Sequence, residues 1–486
     1  MGATLQTLAD VTGTPAGTPV VGLAIDHRQV APGFIFGAFR GVRFNAEDYI
    51  PAAIAAGAVA IVARPEAPVP AGTVHIADDN PRRRMAVIAA RFHAPFPATI
   101  AAVTGTNGKT SVADLLRQVW TLLGHPAASL GTLGVVTAVG RRDLGMTTPD
   151  VLTFLSTMAS MQRAGIEHAV FEASSHGLDQ YRVDGLAIRA AAFTNLSRDH
   201  MDYHPTVEHY RDAKGRLFAE LLAGDGTAVI WADDPASAFM ADLARARGIT
   251  TWMVGAAGDV LRLVGREVLP DGQRLTVAWQ GRPFDIRLPL IGGYQAANAL
   301  VTAGLAIACG GAPQAVFGAL ERVAGVPGRL QQAAVTPAGA PVYVDYAHTP
   351  DGLRAAIEAL RPHTVSRLHV VFGCGGDRDA GKRPEMGAIA ARLADVVYVT
   401  DDNPRSEDPT TIRSAILAAA PSAHDIGDRA LAIETAMRAA RAGDLVLVAG
   451  KGHEQGQIVK GMVQPFDDVA VAAQIARRLR ADGADA

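Results

Sequence analysis

Seven consecutive residues, Gly105-Thr106-Asn107-Gly108-Lys109-Thr110-Ser111, have the types and spacing to hold a phosphate group, and they follow the apolar run Thr99–Val103. Glycines let backbone N–H groups close around phosphate oxygens, and the helix expected next presents its positive N-terminus. Lys109 neutralises charge, and the Thr110 hydroxyl can reach a magnesium ion. A nucleoside triphosphate is the expected ligand. The loop is a variant, because Val103 stands where the general pattern has a glycine, five positions before Gly108. The alternative is a glycine-rich strand-to-helix turn that binds nothing.

Six more apolar runs break into polar loops: Glu172–His176, Asn195–His200, Asp345–His348, Gly373–Arg378, Asp401–Arg405 and Gly450–Glu454. In parallel α/β sheets ligands sit at the carboxyl ends of strands, so seven such loops in two segments predict a cleft between them. Thr110 and Glu172 supply a hydroxyl and a carboxylate for magnesium. His200 could bind a second ion or orient phosphate, or simply be a structural hydrogen-bonder. Asp402 and Arg405 suit the ammonium and carboxylate of an amino acid. They could equally form an internal salt bridge capping the next turn.

These loops need a scaffold, and 486 residues are enough for about three domains. The expected fold class is α/β, with a central P-loop-type parallel-sheet ATPase domain and a C-terminal doubly wound, Rossmann-like domain. Prolines in Arg91–Pro97 and the Pro/Gly-rich stretch from Gly325 to Pro341 place the boundaries, giving 1–95, 96–330 and 331–486. In the last segment, apolar runs Val342–Val344, Leu368–Phe372, Val396–Thr400 and Leu445–Val448 read as buried parallel strands. Helices are expected near Leu353–Leu360, Met386–Leu393, Ile412–Ala419 and Leu431–Ala440. Arg262–Leu288 reads as hairpins at the edge of the central domain.

A net charge of −3 offers no basic surface for nucleic acid. The first basic residue is Arg28 and no run approaches 18 apolar residues, so neither a signal peptide nor a membrane span is expected, and the cytoplasm is the expected compartment. Cys309 and Cys374, the only cysteines, read as core filler. A monomer is expected.

Thr104–Thr110, Phe171–Gly177, Asn195–His200, Pro327-Gly328-Arg329 and Asp345–Pro350 resemble, in order and context, the motifs of the Mur ligases, which extend the peptidoglycan stem peptide at the expense of ATP. The resemblance covers nearly the whole chain. Asp402-Asn403-Pro404-Arg405 looks like the acceptor-selecting motif of members that add meso-diaminopimelate. The resemblance implies that ATP phosphorylates the D-glutamate side chain of UDP-N-acetylmuramoyl-L-alanyl-D-glutamate, and that the amine of diaminopimelate attacks the acyl phosphate.

It further implies ATP contacts from Gly105, Thr106, Asn107, Gly108, Lys109, Thr110, Ser111, Asn298, Arg329 and Asp345. The UDP-substrate would meet Ile25, His27, Thr147, Thr148, Ser174, Gln180 and Arg182. Diaminopimelate would meet Arg378, Asp402, Asn403, Pro404, Arg405, Gly450 and Glu454. Lys109, Glu172, His200 and Lys214 would do the catalytic work, with magnesium on Thr110, Glu172, His200 and Lys214, the lysine as its carbamate. His27, Phe34, Met146, Gln295 and Ala380 depart from residues usual in the family. Two rival readings are a folylpolyglutamate-synthase-like ligase, which would not need Asp402–Arg405, and a nucleotide-gated binding protein, which would leave Lys214 without a role.

Overall fold

Apolar strands separated by polar loops must bury both faces, and the chain does so by winding three large sheets, with a fourth of only two strands. The computed structural model describes residues 3–10, 17–41 and 44–484. The first sheet pairs Gly22–Ala24, Phe34–Gly37, Ala60–Ala63 and Val74–Ala77 in that order, all parallel. Helix Pro81–His93 then leads to the prolines that mark the next segment.

The second sheet has eleven strands, with Thr99–Thr104 between Ile188–Phe193 and His168–Glu172. The expectation of a parallel sheet holds from Leu261–Leu269 across to Ala127–Gly131. Both edges depart from it. Gly272–Trp279 and Arg282–Leu288 on one side, and Gly134–Thr137 and Gly140–Arg142 on the other, are antiparallel, because a hairpin needs only a tight turn whereas a parallel partner needs a crossover. Arg262–Leu288 therefore forms the expected edge hairpins.

The third sheet runs Gln331–Val335, Pro341–Asp345, Leu445–Ala449, Leu368–Phe372, Val396–Val399, His424–Asp425, with only the first strand antiparallel. Helices Pro350–Leu360, Lys382–Leu393 and Pro409–Leu417 cover one face, and Arg429–Ala439 and Asp468–Ala484 cover the other. The doubly wound expectation holds. Sequence reading did not anticipate Gln331–Val335, the two-residue strand His424–Asp425, the hairpin Gly456–Val459 with Met462–Pro465, or the closing helix. Among the described residues no helix is long and apolar enough to cross a membrane.

Each polar loop leaves the carboxyl end of a parallel strand, so the loops of a given sheet gather along one edge. The phosphate-type loop is braced by the helix it opens: Lys109–Leu122 buries Val112, Leu115, Leu116, Val119 and Trp120. Burying each such side chain contributes about 1.5–3 kcal/mol, which keeps the helix N-terminus fixed against the sheet.

Candidate functional site

Two adjoining cavities, of about 640 and 690 Å³, hold the seven loops. The first is lined by Thr106–Ser111, Glu172, Asn195, His200, Lys214, Asn298, Arg329 and Asp345. The second is lined by Arg378, Asp402, Asn403, Arg405, Gly450 and Glu454. Asp199, His200, Tyr346 and His348 line both, so the two are ends of one cleft.

At the first end, Gly108 sits at the helix N-cap with φ 88° and no side chain caps the helix, leaving its first N–H groups open to an anion. Both loop glycines are sterically required. A Cβ on Gly105 would lie 1.9 Å from Thr194 Oγ1, and one on Gly108 would lie 2.5 Å from Asn298 Oδ1. That contact puts Asn298, whose Nδ2 donates to Gln295, against the loop. Lys109 Nζ donates to the carbonyls of Gly105 (2.9 Å) and Thr106 (2.8 Å), curling over its own loop. Burial pushes its pKa down against the pull of Glu172 and Asp199.

Lys214, only 1 % exposed, donates to the same Gly105 carbonyl at 2.7 Å and lies 4.3 Å from the Tyr210 ring centroid. Burial and then Lys109 drive its pKa well below the usual range, which favours the neutral amine. Thr110 Oγ1 donates to Glu172 Oε2 at 2.9 Å and accepts from Arg329. Glu172 also accepts from Thr132 N (2.7 Å) and Thr132 Oγ1 (3.1 Å). Arg329 crosses from the connector to the loop and lies 4.5 Å from the Tyr346 ring centroid. Asp345, buried, accepts from Leu330 N and from the Tyr294 hydroxyl. Its carboxyl pKa is raised by burial.

His200 adopts φ 56° beside Asp199, 3.5 Å away. Burial takes its imidazole down to about 4 despite Asp199, so it is a neutral nitrogen at working pH. Among the described residues no three carboxylate, imidazole or thiolate side chains form a closed metal cage. Magnesium needs none, since it keeps several waters and takes one or two protein oxygens together with substrate phosphates. The hard oxygens of Thr110 and Glu172, already in contact, fit that requirement.

At the second end, Asp402–Arg405 is held on three sides. Arg405 Nη1 donates to Gly376 O (2.8 Å), Gln457 Nε2 donates to Asp402 O (2.7 Å), and Asn403 Nδ2 donates to Glu454 Oε2 (2.9 Å). Asp402 and Arg405 form no ion pair, so the internal-cap alternative fails for this loop. Pro404 is buried beneath it, and its carbonyl would clash with a Cβ on Gly376. Arg378 is exposed at the mouth.

The expected UDP-substrate residues do not all converge. Thr147 and Ser174 line the first cavity, and Thr147 Oγ1 pairs with Thr132 Oγ1 at 3.0 Å. Thr148 donates to the Glu172 carbonyl, while Gln180 and Arg182 bond each other beside Tyr203. Ile25 lines a separate cavity of about 650 Å³ with Phe34, His93 and Asp150, whereas His27 stacks on Tyr49 at 4.1 Å and does not line it. Sequence reasoning assigned no role to Thr132, Asp199, His348, Lys382 or Lys451. All but Thr132 and Lys382 lie inside loops singled out by their polarity. Lys382 Nζ donates to His348 O at 2.7 Å. The thiols of Cys309 and Cys374 are pushed up to about 12 by burial, which suits core filler.

Two family models match successive stretches of the chain. The Mur ligase middle domain matches residues 103–306, and the domain described as Mur ligase, glutamate ligase domain matches 328–452. A UDP-N-acetylmuramoyl-L-alanyl-D-glutamate–2,6-diaminopimelate ligase of Zymomonas mobilis is 60% identical over 460 residues, 94% of each chain. A solved structure of an enzyme with that name superposes with a TM-score of 0.74 at 32% identity, covering 99% of this chain and 100% of the other. Mycobacterium tuberculosis folylpolyglutamate synthase complexed with ADP gives a TM-score of 0.63 at 20% identity, over 82% of this chain and 93% of its own, a likeness of fold alone.

Proposed function

Because the chain belongs to the Mur ligase family, an ATP-dependent ligase family, we propose that it joins meso-diaminopimelate to UDP-N-acetylmuramoyl-L-alanyl-D-glutamate through an acyl phosphate, in the synthesis of peptidoglycan precursor. The observation that carries this reading is the single cleft with a phosphate-type loop at one end and Asp402–Arg405 at the other. The folylpolyglutamate reading shares the fold but gives that acceptor loop no task. In this reading the chain divides at 95/96 and 330/331, each part carrying one large sheet.

A carboxylate is a poor electrophile, and transferring the terminal phosphoryl group of ATP to one of its oxygens creates a leaving group. Two anions must approach each other for that step. The uncapped N–H groups at Gly108 and the Lys109 ammonium, released from the loop carbonyls, stabilise the charge that develops between them. Thr110, Glu172, His200 and a carbamate on Lys214 would hold magnesium, which shields the phosphate charges when bound. The low pKa of the Lys214 amine supports carbamate formation, because only the free amine adds to carbon dioxide. Asn298 and Arg329 would contact ATP, with Asp345 fixing Leu330 next to Arg329.

Diaminopimelate then enters the second end, where Arg405 and Arg378 face its distal carboxylate and Glu454 and Asp402 its ammonium. Holding amine and acyl phosphate in line lowers the barrier by roughly 7–11 kcal/mol. Thr147, Thr148, Ser174, Gln180 and Arg182 would receive the sugar-peptide, with Ile25 at the uridine end. In this reading the enzyme acts as a monomer. The test is phosphate release and product mass with ATP, magnesium, the UDP-dipeptide and either diaminopimelate or lysine. Release that ignores the amino acid would refute ligation, and equal use of lysine would refute the assigned acceptor.

A further inference from the structure

A fully buried ammonium lies behind the acceptor end of the cleft, without lining it. Lys451 is 0 % exposed, and its Nζ donates to Asn403 Oδ1 at 3.0 Å and to Glu454 Oε2 at 3.1 Å. Asn403 Oδ1 accepts a second bond from Ile458 N at 2.9 Å, and Asn403 Nδ2 donates to Glu454 Oε2 at 2.9 Å. An ammonium and a backbone N–H can only donate, so together they determine which end of the amide is oxygen. The amide nitrogen is thereby turned toward Glu454 and the cavity. It keeps one N–H beyond the Glu454 bond. Glu454, one-third exposed, has Oε2 occupied and Oε1 left for an incoming donor.

We propose that Lys451 is a positioning residue for amino-acid selection: it fixes Asn403 as a donor and Glu454 as a one-oxygen acceptor, the pattern that a carboxylate beside an ammonium requires. This rests on the acceptor reading of Asp402–Arg405 given above. Without the ammonium, Glu454 loses its buried counter-charge and turns to solvent, and the Asn403 amide is held at its oxygen end by Ile458 alone.

Steady-state kinetics on the full chain separate the outcomes. Lys451→Met raises KM for meso-diaminopimelate about tenfold, leaves kcat and KM for ATP within about twofold, and narrows the preference over L-lysine. If that variant does not fold, Lys451→Gln, which keeps a donor but removes the charge, is read in the same way. Unchanged KM for diaminopimelate, or an equal loss against all three substrates, overturns the positioning role. Arg405→Lys run in parallel keeps the two readings apart. A raised KM there with a wild-type KM for the Lys451 variant removes only the role of Lys451, whereas unchanged KM in both removes the acceptor site itself.

Discussion

The two ends of the cleft treat charge in opposite ways. At the nucleotide end, Lys109 and Lys214 converge on one carbonyl, Gly105 O, and neither forms an ion pair with a carboxylate. At the acceptor end the cations packed behind the cavity are matched: Arg383 with Glu407 at 2.8 Å, Lys451 with Glu454 at 3.1 Å, and Arg429 with Asp468 at 2.7 Å, the last pair fully buried. Arg405 and Lys382, on the cavity itself, donate only to backbone carbonyls. An unpaired cluster of buried amines is costly to fold and is relieved by a polyanion; a neutralised frame suits a ligand that brings both signs itself. The difference fits the proposed assignment of phosphate to the first end and of a zwitterion to the second.

The largest expected effect removes the first half of the contrast. Lys109→Ala lowers kcat at least about a thousandfold, as loss of a charge-stabilising donor does. Its thermal melting stays within a few degrees of the parent, because the lost bonds run only to the loop's own carbonyls. Phosphate release and a melting curve read the two quantities. Lys214→Met sharpens the same point by moving the two in opposite directions. Turnover falls roughly a hundredfold or more, while stability rises by about 1–2 kcal/mol, since an unpaired buried amine is exchanged for a thioether of similar length. A destabilised Lys214→Met protein would mean that the amine is compensated in a way the Gly105 bond does not explain.

At the other end, Arg405→Lys leaves the net charge alone and removes only the planar fork. KM for diaminopimelate rises about ten- to a hundredfold, with kcat affected less, and lysine becomes a comparable substrate in competition assays. Equal loss with both amino acids would place Arg405 in the frame rather than against the ligand.

How much of this was readable in the chain depends on how local the chemistry is. A phosphate cradle is written in seven adjacent residues, and the polar loops after Pro341–Asp345, Leu368–Phe372 and Leu445–Ala449 announce themselves because, His369 and the terminal Asp345 apart, the strands before them are apolar. Thr132 carries no such signal. It matters only because strand Ala127–Gly131 stops beside Glu172, forty positions later. Lys451 sat inside a recognised loop, yet its partner Asn403 is forty-eight residues away. In the last segment, the strand Gln331–Val335 and the Gly456–Pro465 hairpin escaped reading because they are short and half-exposed or exposed throughout, so no periodic burial marks them. Ile25 and His27 were expected to act together, but a 3-10 turn begins at His27 and carries its ring onto Tyr49.

The smallest effect concerns the histidines packed beside the nucleotide end. His204 is fully buried, its Nε2 has no hydrogen-bond partner, and its Nδ1 lies 2.8 Å from Nδ1 of His209. That pair can share one proton but not hold two. Burial, then the neighbouring His176 and His209, bring the His204 pKa down to about 4 against about 6.5 in an unfolded chain. Between those values the unfolded state binds the extra proton. This group's contribution is therefore complete above about pH 6.5 and is lost as the pH falls toward 4, a change on the order of 2 kcal/mol. His204→Phe keeps the ring volume and cannot titrate, so its denaturation midpoint should fall less between pH 7 and 4.5 than that of the parent protein. Parallel acid limbs in the two proteins would mean that His204 finds a solvent path or an acceptor when protonated. The acid sensitivity of this end would then have to come from His200 or from Asp199.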